Sequence, residues 1–177
     1  MSKNFILILD GPMGSGKSTV GDLVHKKLKR TALLSMDRIK WFISDFKRSK
    51  KDNAITNAVL FKMYEEYLKQ GIDLIVTQGF WKQKGSPFVA PSDFAALAKK
   101  YKVRFYFYQL DAPKEVLLGR IKNRKPSALI RTPIAPSRLL RNIRMWKKNK
   151  YQPEKTFWSH EQSAKNIANQ ILKNIRI

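Results

Sequence analysis

Cysteine is missing altogether. That removes disulfides, thiolate metal sites and thiol catalysis together, and it fits a reducing compartment. Long apolar runs are missing too. The first one, Phe5 to Leu9, follows only Lys3 and is far too short for a secretory signal or a membrane span. The expectation is therefore a cytoplasmic protein with no membrane partner. Internal repeats and low-complexity linkers are also absent. A length of 177 residues is one domain's worth, long enough to bury a core without staples, so residues 1–177 are expected to form a single domain.

Acid is scarce. The chain carries 13 Asp and Glu against 36 Lys and Arg, a formal net charge of +23, and the excess is unevenly spread. Residues 101–150 hold 14 basic and 2 acidic side chains, and from Arg120 to Lys148 there are ten basic residues and no acid. Such a segment reads as a surface for phosphate-rich ligands, from a nucleotide up to nucleic acid. The scattered lysines elsewhere read equally well as compositional bias, because every other segment is mildly positive too.

Against that background stands Gly11-Pro-Met-Gly-Ser-Gly-Lys-Ser18, which matches G-x-x-x-x-G-K-[ST], the Walker A pattern of P-loops that bind nucleoside triphosphates. Gly11, Gly14 and Gly16 let the backbone turn in strained conformations, so that successive N–H groups, with Ser15 and Thr19 in the same run, come round a phosphate. Lys17 reaches the β- and γ-phosphates, and the Ser18 hydroxyl takes a place on Mg²⁺. The flanks agree. Phe5 to Leu9 reads as a buried strand, and Thr19 to Lys29 as a helix with Val20, Leu23, Val24 and Leu28 on one stripe. This order places the phosphates at a helix N-terminus, where backbone donors and the helix dipole favour anions.

Downstream, Ala32 to Met36 reads as a second short strand ending at Asp37. In open α/β sheets ligands bind beyond the carboxyl ends of strands, so Asp37 is expected in the crevice of the loop as a candidate base; it could equally cap the next helix. Trp41, Phe42 and Phe46 could line an acceptor pocket, although aromatics at that spacing read more readily as core. A helix is expected over 54–69, stopped by Gly71, and a third strand over 72–77. That strand ends in Thr77-Gln78, where many P-loop proteins carry an acid that helps hold Mg²⁺. Asp37 is left to orient metal-bound water, which with Ser18 makes it a candidate metal residue.

A helix over 92–100 and a strongly β-prone strand over 103–110 follow. Asp111 is expected to cap the next helix, with Pro113 in its first turn and Arg120 and Arg124 four apart on one face. Residues 125–136, with three prolines, break periodicity and read as a mobile basic lid. Residues 137–148 form an amphipathic helix, Leu139, Leu140, Ile143 and Trp146 on one stripe and Arg138, Arg141 and Lys148 on another. A strand near 156–159 and a helix over 161–175 close the chain. Strand and helix alternating throughout specify a five-stranded parallel sheet covered on both faces.

On these residues the chain resembles, over almost its whole length, the small P-loop kinases of the adenylate kinase-like superfamily. The resemblance implies an α/β, three-layer P-loop NTPase fold with sheet order 2-3-1-4-5, ATP and Mg²⁺ as cofactors, and an arginine-bearing lid after the fourth strand. The pattern is most similar to the branch of zeta toxins, chloramphenicol phosphotransferase and the kinase domain of bacteriophage polynucleotide kinase. There an Asp at the end of the second strand acts as base toward the acceptor hydroxyl, a place that Asp37 occupies. Arginines after the fourth strand and in the lid embrace the phosphates, matching Arg120, Arg124 and Arg131. The missing third-strand acid and the basic segment after the lid depart from the pattern.

The activity implied is transfer of the γ-phosphate of ATP to a hydroxyl. Lys17, Arg120 and Arg124, with Mg²⁺ on Ser18, neutralise the phosphates while Asp37 serves as base. The expected acceptor is a small molecule such as an antibiotic, nucleoside or sugar derivative. One alternative is the 5′-hydroxyl of RNA or DNA, held through residues 120–148; another is a nucleotide-dependent nucleic-acid-binding module with little transferase activity. Arg138, Arg141 and Lys148 are expected to lie beyond the residues that ATP itself needs.

Overall fold

A computed structural model describes residues 4–82, 89–124 and 135–175. Among them, strands β1 (Phe5–Asp10), β2 (Thr31–Leu34), β3 (Asp73–Thr77), β4 (Arg104–Asp111) and β5 (Lys155–Trp158) form one sheet in the order β2-β3-β1-β4-β5. Every pairing is parallel, as expected. The helices are α1 (Lys17–His25), α2 (Met36–Ile39), α3 (Lys50–Lys69), α4 (Pro91–Tyr101), α5 (Lys114–Lys122), α6 (Pro136–Asn149) and α7 (Ala164–Ile175).

The central strand shows why its sequence is apolar without alternation. Leu7 and Leu9 face a layer built from Val20 and Val24 of α1 and Ile167 and Ile171 of α7. Ile6 and Ile8 face the other layer, with Leu60 and Tyr64 of α3 and Phe94 and Leu97 of α4. A middle strand of a parallel sheet is covered on both sides, so all six residues of β1 are buried. Helix α1 sits so close to the sheet that a Cβ on Gly21 would come 2.6 Å from Cγ2 of Thr77. That contact sets the height of the P-loop relative to the end of β3. A third cluster, Ala112, Leu117, Leu139 and Ile143, joins α5 to α6 and packs against Met13 of the loop.

Several local expectations change. The second strand ends at Leu34, Ser35 takes the capping position, and Asp37 lies in the first turn of α2 and does not cap it. Asp111 ends β4, its carboxylate accepting the Ala112 N–H at 2.8 Å, and Pro113 precedes α5 in the capping place. Helix α5 stops at Lys122, so Arg124 lies past its end, held by a backbone bond to Ile121 at 3.2 Å. Helix α3 begins early, at Lys50, because the Ser49 hydroxyl accepts the Asp52 N–H at 3.0 Å. The expected lid lies outside the described residues except for Ala135 and Pro136, and Arg131 lies outside them as well. Among the described residues no helix is long and apolar enough to cross a membrane.

Candidate active site

Gly11, Gly14 and Gly16 have φ of 154°, 82° and 93°, values that side-chain-bearing residues rarely adopt. At Gly14 the space is closed as well: a Cβ would lie 2.8 Å from the Leu117 carbonyl oxygen, so the loop rests directly on α5. Gly16 is the N-cap of α1, no side chain caps the helix, and its first turn holds no acid. The N–H groups there have no side-chain acceptor, and with the helix dipole they form a site for an anion. Ser18 and Thr19 stand exposed on that turn. Ser15 differs from its neighbours. Its hydroxyl oxygen is buried without a hydrogen-bond partner and lies beneath the loop beside Gly11, so only its backbone can meet a ligand.

Lys17 folds back on the loop, its Nζ donating to the Pro12 carbonyl at 2.8 Å. Burial lowers its pKa to about 8; the charge of Arg124 adds to this, while Asp10 and Asp37 oppose it. Asp10 is the residue that the sequence reading overlooked. Fully buried at the end of β1, it accepts through Oδ1 the N–H groups of Gly11 at 2.6 Å and Phe80 at 2.8 Å and the indole N–H of Trp146 at 2.9 Å. Its Oδ2 accepts the Gln109 amide at 2.9 Å. Burial pushes the Asp10 carboxyl up, against those hydrogen bonds and the Lys17 charge. One carboxylate thus ties the loop, the segment after β3 and α6 together.

In front of the loop opens a crevice of about 1020 Å³, room enough for a nucleotide and a second ligand. Lys17, Arg120 and Arg124 line it. Arg120 is bound there to the Ser159 hydroxyl at 2.8 Å, the Ser159 carbonyl at 2.6 Å and the Gly14 carbonyl at 3.3 Å. It joins the turn before α7 to the P-loop. Asp37 lines the crevice too, near enough for its charge to act on Lys17, its side chain 70% exposed and ion-paired with the nearly buried Lys40. The structure therefore brings Gly11, residues 13–19, Asp37, Arg120 and Arg124 to one crevice.

The crevice also has a polar wall. The Gln78 amide donates to Asn57 Oδ1 at 3.4 Å, Asn57 donates to the Asn53 carbonyl at 2.8 Å, and all three side chains line the crevice. The aromatic segment divides. Residues 40–42 form a 3-10 turn that leaves Phe42 80% exposed, so Phe42 is neither core nor lining. Trp41 meets Phe46 edge to face at 5.7 Å, and Phe46 and Trp81 reach the crevice.

Arg138 and Arg141 line the crevice as well. Lys148, two turns beyond Arg141 along α6, is exposed and does not line the crevice. Asn53 and Asn57 are four apart on α3, but the helix expected over 54–69 left Asn53 outside it, so the pair carried no signal as a shared face. Among the described residues there is no cluster of three or more His, Cys, Asp or Glu. The Ser18 hydroxyl and the Asp37 carboxylate on one crevice suit an ion such as Mg²⁺, which takes one or two protein oxygens and keeps waters and phosphates as its other ligands.

Residues 6–145 match the family described as AAA domain. No curated protein matches the chain. A putative kinase from Chloroflexus aurantiacus J-10-fl is 18% identical with a TM-score of 0.72, over 99% of this chain and 98% of that one. A sugar kinase from Janibacter sp. HTCC2649 is 16% identical with a TM-score of 0.64, over 99% and 95%. A chain of the Pnkp1/Rnl/Hen1 RNA repair complex is 19% identical with a TM-score of 0.65, over 85% of this chain and 46% of that one. At these identities the likeness is one of fold. The family match spans well over half of the sequence, and with the loop, sheet order and crevice described above it shows that the chain belongs to the AAA domain family, with a kinase-like P-loop fold.

Proposed function

We propose that this chain, acting as one domain, is an ATP-dependent kinase that moves the γ-phosphate to a hydroxyl of a small molecule such as an antibiotic, nucleoside or sugar derivative. The observation that carries the reading is Asp37 sharing one crevice with Lys17, close enough for the carboxylate to act on the ammonium. The two ends of a transfer reaction are then in place. Lys17 holds the β- and γ-phosphates, Arg124 and a released Arg120 offset charge on the transferred group, and α1 presents its first-turn N–H groups to the anion. Asp37, oriented by Lys40, accepts the proton of the attacking hydroxyl. Ser18 and Asp37 would hold Mg²⁺, directly or through water, and the ion would neutralise phosphate oxygens. The position of Asp37 also supports placing the chain with the zeta toxin, chloramphenicol phosphotransferase and polynucleotide kinase branch.

The test is transfer of labelled phosphate from ATP with Mg²⁺ to a panel of nucleosides, aminoglycosides, chloramphenicol-like alcohols, sugars and 5′-hydroxyl oligonucleotides. Labelled product with one of them, lost in Lys17→Ala and Asp37→Asn, is the expected result. ATP and oligonucleotide binding without any transfer would make the chain a binding module instead.

A second reading, a polynucleotide 5′-hydroxyl kinase, is favoured by Arg144 and Lys148, which continue the basic surface outward from Arg141 along α6. Changing Arg144 and Lys148 to Gln should then raise the KM of an oligonucleotide and lower its salt slope by roughly one to two units. An unmoved slope removes this reading.

A further inference from the structure

Two arginines on a helix fastened beside the P-loop line the crevice. Asn142 of α6 accepts the Met13 N–H at 3.2 Å, and Trp146 donates to Asp10 at 2.9 Å. Leu139, Ile143 and Trp146 between them are buried. The helix is thereby fastened to the P-loop and to the residue before it. Arg138 and Arg141, one turn apart, project into the crevice, and no ion pair among the described residues includes either.

The opposite wall brings a third guanidinium. Arg48 adopts a left-handed φ of 57°, a conformation that costs a non-glycine residue about 1–3 kcal/mol and persists where surrounding bonds enforce it. Those bonds are present. Asn53 donates to the Arg48 carbonyl at 3.0 Å, and on either side Lys47 donates to Asp52 and Ser49 caps α3. The Arg48 guanidinium lies 5.5 Å from the Trp41 ring centre and lines the crevice. Burial, and after it the charge of Arg48, holds the Arg138 guanidinium below its ordinary range, with Asp37 opposing. Like charges thus face each other across the space beside Asp37, the one carboxylate among the described lining residues.

A neutral acceptor leaves that repulsion in place, and the phosphates of ATP have Lys17, Arg120 and Arg124 to meet them in the same crevice. Guanidinium forks match phosphate and carboxylate oxygens, and an anion among three of them relieves the repulsion. We propose that the acceptor is an anionic alcohol, a hydroxyl compound that also carries a phosphate or carboxylate group, gripped by Arg138, Arg141 and Arg48 while its hydroxyl meets Asp37. The proposal rests on the kinase reading of this site and narrows it. The amides of Asn53, Asn57 and Gln78 supply neutral hydrogen bonds to the remainder of such a molecule.

The test fills the P-loop with a non-hydrolysable ATP analogue and titrates, by calorimetry, compounds that differ only in the anionic group. Suitable sets are glycerol against glycerol 3-phosphate and glycerate, and adenosine against adenosine 3′-monophosphate. At least one anionic member should bind about tenfold or more tightly than its neutral counterpart, the worth of one well-placed charge contact. In Arg138→Gln/Arg141→Gln that preference should vanish while affinity for the ATP analogue stays within about threefold. Glycerol 3-phosphate and glycerate separate the two anion chemistries, and adenosine 3′-monophosphate reports a nucleic-acid terminus as the source. Equal binding of neutral and anionic members, no binding of any anionic member, or a preference that survives in the double variant overturns the proposal. Transfer is measured in parallel. Arginine-dependent binding without transfer counts against the kinase reading and leaves the anion site standing, whereas transfer to neutral compounds without preference does the reverse.

Discussion

Trp146 donates its indole N–H to Asp10 at 2.9 Å across 136 positions of sequence, so α6 hangs from the residue that immediately precedes the P-loop. The carboxylate that accepts it also accepts the N–H groups of Gly11 and Phe80 and the Gln109 amide. Loop and helix therefore share one buried anchor.

Removing that anchor should be severe. Asp10→Ala strands several buried donors, each worth about 1–3 kcal/mol when left unpaired, so a loss of about 3 kcal/mol or more is expected in urea unfolding. Trp146→Phe keeps most of the ring and removes one donor, leaving Asp10 its other partners, and should cost about 1–2 kcal/mol. Equal stability of Asp10→Ala and the wild type would show that the network is ornamental.

The lowered pKa of Lys17 gives ATP binding a pH signature. The free protein loses the ammonium as pH rises through about 8, and the phosphates need that charge. ATP affinity should fall about tenfold from roughly pH 7 to pH 9. Lys17→Arg, which stays charged, should flatten the profile even if its absolute affinity drops. Lys17→Ala should abolish transfer with the fold retained. A wild-type profile already flat over this range would mean that ATP does not meet the Lys17 ammonium.

Asp37→Asn preserves an acceptor for Lys40 and removes the capacity to take a proton. Transfer should fall on the order of a hundredfold or more while ATP affinity changes by a few-fold at most. Single-turnover kinetics separate the two quantities. Collapsed ATP binding with normal turnover of what remains bound would make Asp37 a structural or metal residue.

Gln78→Glu places an acid at the end of β3, where Gln78 now donates to Asn57 at 3.4 Å. Mg²⁺ affinity in the presence of nucleotide should rise or stay level, because the ion otherwise depends mainly on phosphate oxygens. Titration of Mg²⁺ with and without nucleotide checks this. A site saturated before nucleotide is added contradicts it.

What the sequence made legible was local. The apolar run of β1, the glycine spacing and the stripe of Leu139, Ile143 and Trp146 each follow from neighbours a few positions away, and all three appear as expected. A helical stripe tells which residues share a face but not what the face looks at. Arg138 and Arg141 turn to the crevice because α6 is fastened to Met13 and Asp10 more than 120 residues upstream, and no local pattern encodes that angle. Asp10 was hidden for a similar reason: at the end of an apolar strand it looks like the start of a loop, and its partners come from three distant segments. The aromatics at 41–46 misled in the opposite direction, since a 3-10 turn replaced the regular helix on which the core reading depended.

The placing of β1 in the middle of the sheet also governs how the protein comes off the ribosome. Its neighbours are β3 and β4, so Ile6 waits for Leu74 on one side and Phe105 on the other. At about 5–20 residues per second, the second partner emerges on the order of 5–20 s after the first strand. Throughout that interval the Phe5–Leu9 segment, apolar on both faces and open along both edges, is a template for pairing with other nascent chains. The yield of folded protein is then set by how quickly synthesis passes β4 and by what shields β1 until it does, so slowing translation before residue 111 should increase aggregation, measurable as the insoluble fraction.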